Sequence, residues 1–136
     1  MRTETEISPH RIPAGAGRIC VLVVEDDPHL RESLRAGLAD EFRVIGLEDG
    51  QDFLAAVRFY QPRVVLMDLN LGYASGLVLC DMLRRDGGLN GVRILVMTAL
   101  RDNASFLQSY AKGADGFLYK PFTLPELRAR MRDLLH

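Results

Sequence analysis

The chain has 136 residues, 48% hydrophobic and 26% charged, enough for one domain with a real core and too few for two. A formal net charge of −1 and a pI near 6.3 exclude a general electrostatic pull toward nucleic acid or anionic membrane. The two cysteines, Cys20 and Cys80, show no CxxC or metal-ligand spacing, which excludes a disulfide framework and suits core thiols in a reduced, cytoplasmic setting, and no apolar run approaches the roughly 20 residues of a membrane helix.

Residues 1–17, MRTETEISPHRIPAGAG, have no hydrophobic periodicity, and their composition predicts a flexible leader ahead of a domain over 18–136. Ile19 to Val24 is a nearly unbroken apolar run, the pattern of a strand buried on both faces, and it runs straight into Glu25-Asp26-Asp27. Asp27 followed by Pro28 offers an N-cap and a first-turn proline, and Leu30, Leu34 and Leu38 then recur at helical spacing. Phe42 to Leu47 reads as a weaker second strand. Val64 to Met67 is a third, ending in Asp68. Leu79 and Leu83 mark a helix that should stop near Gly87-Gly88. Ile94 to Met97 is a fourth strand, ending in Thr98-Ala99, and the helix after it should stop near Gly113. Phe117 to Tyr119 is a short fifth strand that ends in Lys120-Pro121. Leu124, Leu127, Met131 and Leu134 form the apolar stripe of a last helix.

Five strands alternating with five helices in so short a chain predict an α/β fold, a flavodoxin-like (βα)5 doubly wound sandwich with parallel order 2-1-3-4-5; a barrel needs about twice the length. In such a sheet ligands sit beyond the carboxyl ends of the strands, where strand order reverses. Glu25, Asp26, Asp68, Thr98 and Lys120 all fall at those ends. Clustered carboxylates repel one another unless a cation joins them, and Mg²⁺, or Mn²⁺ in its place, suits a site of few carboxylates. A carboxylate there can also act as a nucleophile toward a phosphoryl group, with a lysine and a hydroxyl to meet the charge. Each residue alone has a plainer reading: a helix cap for the acidic triplet, a solvated lysine for Lys120, core for Phe117. Their joint occurrence at four strand ends favours the site.

The segments VLVVEDDP, VVLMDLNLGYASGL, ILVMTA and GADGFLYKPF, in this order, resemble the signature of the receiver domain of bacterial two-component response regulators. The resemblance implies that Asp68 is the phosphoacceptor, that Glu25 and Asp26 complete an acidic metal pocket with Asp68, and that Asn70 offers its backbone carbonyl to the metal. It implies that Thr98, Ala99 and Lys120 contact the phosphoryl group, that Thr98 and Phe117 form the switch, and that the Lys120-Pro121 bond is cis. The expected partner is a histidine kinase or phosphotransfer protein, with no direct nucleic-acid or membrane binding by this chain and no turnover beyond its own phosphorylation and dephosphorylation. The output face would be the fourth helix, fifth strand and fifth helix, where Arg128, Arg130 and Asp115 could pair across a weak dimer; Gly116 stands where a second acid is common. Gly72 replaces a common proline after the acceptor, which frees the loop through Tyr73-Ala74-Ser75 to Gly76, and Leu100 could shield the acyl phosphate from water. The fifth helix, in KPFTLPELRARMRDLL, resembles receivers that precede a winged-helix domain.

Two other classes are open to the same residues. A phosphohydrolase of the haloacid dehalogenase type needs an acid two residues after its nucleophile, where this chain has Asn70, and a flavin module needs a phosphate loop after the first strand, which is missing.

Overall fold

The computed structural model describes residues 17–71, 75–99 and 103–136. The expectations for Gly72, Tyr73, Ala74, Leu100 and nearly all of the leader therefore lie outside the described residues. Five strands and five helices alternate: β1 (Cys20–Val24), α1 (Pro28–Leu38), β2 (Arg43–Leu47), α2 (Phe53–Tyr60), β3 (Val64–Asp68), α3 (Gly76–Arg85), β4 (Arg93–Thr98), α4 (Asn103–Ala111), β5 (Gly116–Tyr119) and α5 (Leu124–Leu135). All pairings are parallel, in the order β2-β1-β3-β4-β5. The expected strand order is what the chain adopts.

Side chains alternate across the sheet and divide the core in two. Leu22, Val24, Val65, Met67, Ile94, Val96 and Phe117 pack with residues of α2 and α3, including Phe53, Val57, Leu79 and Leu83. Val21, Val23, Val64, Leu66, Leu95, Met97 and Leu118 pack on Leu34 and Leu38 of α1 and on Leu127 and Met131 of α5. Both faces are covered, and for that reason β1, β3 and β4 carry apolar residues at consecutive positions.

Helix ends follow local chemistry. The Asp27 side chain accepts from the N–H of His29 at 2.9 Å, and Pro28 follows at the first helical position. Thr123 and Glu126 form a reciprocal capping box that opens α5. The third helix stops at Arg85, before Gly87-Gly88, because Asp86 leaves the helical conformation and its side chain accepts from Gly88 N–H at 3.1 Å. No described helix is long and apolar enough to cross a membrane.

Cys20 and Cys80 are core residues, as expected, at 8% and 0% exposure. Burial pushes the Cys20 thiol up to about 11 and the Cys80 thiol up to about 12. Both should be inert to a thiol reagent at pH 8 in the native protein and react fully once it is unfolded. The unfolded thiols ionise first, so their contribution to stability is complete below 9.0 and is lost as pH rises toward the folded values. An alkaline titration of urea stability should show that decline. Fast native-state labelling at pH 8 would contradict the buried placement.

Candidate functional site

The reversal of strand order lies between β1 and β3. Val24 is level with Met67, and Asp68 with Met97, so the register sets Glu25 in line with Asp68 at the end of the sheet. Thr98 pairs with Tyr119, one residue before Lys120. Alternation gives Asp68 and Lys120 the parity of the α1/α5 face, and Thr98 and Phe117 that of the opposite face. Glu25, Asp68 and Lys120 thus meet on one side of the strand ends, and Thr98 and Phe117 lie on the other.

Glu25, Asp68 and Thr98 are 1%, 5% and 1% exposed, while Asp26 is exposed. Carboxylate oxygens of Glu25, Asp26 and Asp68 lie within 4.8 Å of one another. Lys120 Nζ donates to Glu25 Oε1 at 2.9 Å and stands 3.4 Å from Asp68 Oδ2. The N–H of Asn70 donates to Asp68 Oδ1 at 3.2 Å, and the N–H of Asp27 to Glu25 Oε2 at 3.1 Å. Burial raises the pKa of Glu25 despite the nearby ammonium. For Lys120 burial opposes the charge, but Glu25 and Asp68 together outweigh it and the pKa is raised. Three oxygen donors gathered this closely fit a small hard cation.

Asp68 is also framed from behind. A Cβ on Gly76 would drive into the Asp68 carbonyl oxygen and approach Leu69 Cα to 2.9 Å. Glycine at the start of α3 lets that helix pass close beneath the acidic residue. Lys120-Pro121 is cis, as the resemblance implies, and the N–H of Lys120 donates to the Thr98 carbonyl at 2.8 Å, joining the ends of β4 and β5.

The profile of the response regulator receiver domain matches residues 21–132. The chain belongs to that family. This receiver domain is 41% identical over 113 residues to the DNA-binding response regulator MtrA of Mycolicibacterium smegmatis, covering 82% of this chain and 48% of that one. It is 39% identical over 116 residues to the response regulator MprA of Mycolicibacterium vanbaalenii, covering 85% and 49%. The chain spans about half the length of the curated relatives it matches. Among solved structures, the BeF3-activated DrrB receiver domain superposes with a TM-score of 0.78 at 29% identity, covering 87% of this chain and 97% of that one. The BeF3-activated N-terminal receiver domain of Klebsiella pneumoniae RstA gives a TM-score of 0.79 at 26% identity, covering 86% and 98%. Receiver domains generally bind Mg²⁺ in an acidic pocket, and this one carries the acidic cluster.

The structure also brings in Phe106 and Arg84, which sequence reasoning did not single out. Phe117 is buried, and its ring packs edge-on against Phe106 of α4 at 5.3 Å and Tyr119 at 5.1 Å. Arg84 joins α3 to the start of β5, donating to Asp115 Oδ2 at 2.6 Å and to the carbonyls of Val92 and Gly113 at 2.7 and 2.9 Å. Asp115, expected at a dimer face, also accepts within the chain from Arg84 and from Ile94 N–H at 2.8 Å. Arg128 likewise pairs with Asp40 at 3.0 Å, and Arg130 donates to the Phe117 carbonyl. A cavity of about 540 Å³ lies at the opposite end of the sheet, lined by Ile19, Phe42, Arg18, Arg63 and Arg132 among others. Arg18 and Arg63 there donate to the carbonyls of Ala39 and Leu135, at the ends of α1 and α5, which is the part basic residues play at helix C-termini.

Proposed function

We propose that this receiver domain accepts a phosphoryl group on Asp68 from a histidine kinase or phosphotransfer protein, in the cytoplasm, and relays that event through the α4–β5–α5 face. The convergence of the Glu25, Asp26 and Asp68 oxygens with Lys120 Nζ carries this reading. Glu25, Asp26, Asp68 and the Asn70 carbonyl would hold Mg²⁺ or Mn²⁺. When bound, the ion neutralises the acids and supplies positive charge opposite the transferring group.

The chain's own residues account for the remaining chemistry. An Asp68 carboxylate oxygen attacks phosphorus, the phosphorus–nitrogen bond of the donor phosphohistidine breaks, and the imidazole keeps the electron pair; an acyl phosphate forms on Asp68. Lys120 turns its ammonium toward the phosphoryl oxygens, and Thr98, with the backbone at Ala99, donates hydrogen bonds to them. Water later cleaves the acyl phosphate, so the domain catalyses only its own cycle. As Thr98 moves toward the phosphoryl group, space opens for the Phe117 ring, and Phe106 is placed to feel that motion.

The domain would span 18–136, with 1–17 as a flexible leader. Relatives named as DNA-binding support an output domain in a longer parent protein. With Asp115 and Arg128 engaged internally, pairing of two copies on phosphorylation would be weak. Acetyl phosphate with Mg²⁺ should give a single hydroxylamine-sensitive phosphoryl adduct, and borohydride trapping should place it on Asp68. An adduct on any other residue rejects the assignment.

A further inference from the structure

Glu25 leaves the sheet where its backbone needs new partners. Its N–H still donates to the Leu47 carbonyl at 3.0 Å, at the edge of β2. Its own carbonyl lies beyond β1, on a residue that is 1% exposed, where an unpaired acceptor is costly. Arg31, in the first turns of α1, supplies the donor: its guanidinium meets the Glu25 carbonyl oxygen at 2.7 Å. To reach it the side chain lies across β2. A Cβ built on Gly46 would stand 3.1 Å from both Cγ and Cδ of Arg31, so the stem of that arginine rests on the Gly46 backbone.

Glycine weakens a strand interior, and there it often marks a place where something approaches the backbone closely. Gly46 pairs with Val23 on β1, two residues before Glu25. The loop that bears the acids is thus fixed at both ends. Asp27 caps α1, and Glu25 is held by Leu47 on one side and Arg31 on the other. Asp26 is exposed between these two anchors.

We propose that Arg31 is a positioning residue for the acidic pocket, holding the peptide from which Glu25 and Asp26 project, and that position 46 is glycine so that its stem can pass. The idea rests on the reading of Glu25, Asp26 and Asp68 as the metal pocket. Arg31 acts through the Glu25 carbonyl and is assigned no contact with the phosphoryl group or the ion. Its role is to set where two of the carboxylates stand, as partners of metal ligands do in other sites, where their loss weakens binding about 10–100-fold.

The test is Mn²⁺ binding to the unphosphorylated full chain, followed by electron paramagnetic resonance, alongside thermal unfolding by circular dichroism. Arg31→Ala should weaken Mn²⁺ binding about tenfold. Gly46→Val should do the same, because the valine side chain crowds the arginine stem and draws its guanidinium off the Glu25 carbonyl. The double variant should bind no more weakly than the weaker-binding single variant, since both changes remove one interaction. Arg31→Lys, with a single ammonium group on a similar stem, should recover part of the affinity. Unchanged Mn²⁺ binding in Arg31→Ala overturns the proposal, as do additive effects in the double variant. Failure of the wild-type chain to bind Mn²⁺ overturns the pocket itself, an outcome distinct from loss of the Arg31 role alone.

Discussion

Asp68→Asn is expected to reduce phosphoryl incorporation from acetyl phosphate by about a thousandfold or more, because the amide oxygen cannot act as the nucleophile. The fold should survive the change. Asparagine has nearly the same shape, and its side-chain oxygen can still accept from the N–H of Asn70, now 3.2 Å from Asp68 Oδ1. Removing one of two neighbouring buried acids relieves repulsion with Glu25, and Lys120 keeps its shorter contact to Glu25 at 2.9 Å. The melting temperature in EDTA should therefore stay level or rise while labelling disappears. The chain has no tryptophan, so circular dichroism is the suitable probe. Labelling of the variant at the wild-type level would end the case for Asp68 as acceptor.

Lys120→Ala is expected to cost about 3 kcal/mol of stability in EDTA at pH 7, as removal of one partner from a buried ion pair does. One ammonium serves two acids, Glu25 at 1% exposure and Asp68 at 5%. The lysine side chain keeps 23% exposure, which places the effect at the lower end of the usual range. The direction with pH follows from the two shifts. Glu25 has a folded pKa above 4.5, so its favourable contribution is present below that value and lost as pH rises through the folded one. Lys120 has a folded pKa above 10.5, so its contribution holds across the neutral range and fades only in alkali. Without the ammonium, Glu25 loses what offsets its burial, and the variant should fall behind the wild type as pH rises from about 5 to 7. Millimolar Mg²⁺ should return more stability to the variant than it adds to the wild type, because a hard cation takes over the same acids. Equal urea midpoints for the two proteins in EDTA at pH 7 would show that Lys120 does not compensate these carboxylates.

The order of elements was legible in the sequence because a doubly wound sheet buries its central strands on both faces. Ile19 to Val24, Val64 to Met67 and Ile94 to Met97 could be recognised as buried strands from their unbroken apolar character alone, and the order of strands across the sheet followed from their alternation with helices. Boundaries were less legible: β4 opens at Arg93, one residue before the apolar run, so a polar residue that looks like loop belongs to the ladder. The backbone pairing there is indifferent to side-chain polarity.

The sequence by itself determined which residues stand at the carboxyl ends of the strands, since each is fixed by the run just before it. Only the tertiary structure decided how they pair. Lys120 lies nearer to Glu25 than to Asp68, although 95 residues separate the two partners. Gly76 beneath the Asp68 carbonyl and Gly46 beneath the stem of Arg31 are required by chain segments that approach from elsewhere, and nothing in their own neighbourhoods announces it. Asp115 and Arg128, expected to pair across a weak dimer, also have partners within the chain, Arg84 and Asp40. Local pattern sets an element and its end, because it depends on neighbours along the chain. The partner of a charge or the reason for a glycine depends on distances across the sheet, which only the packed chain defines.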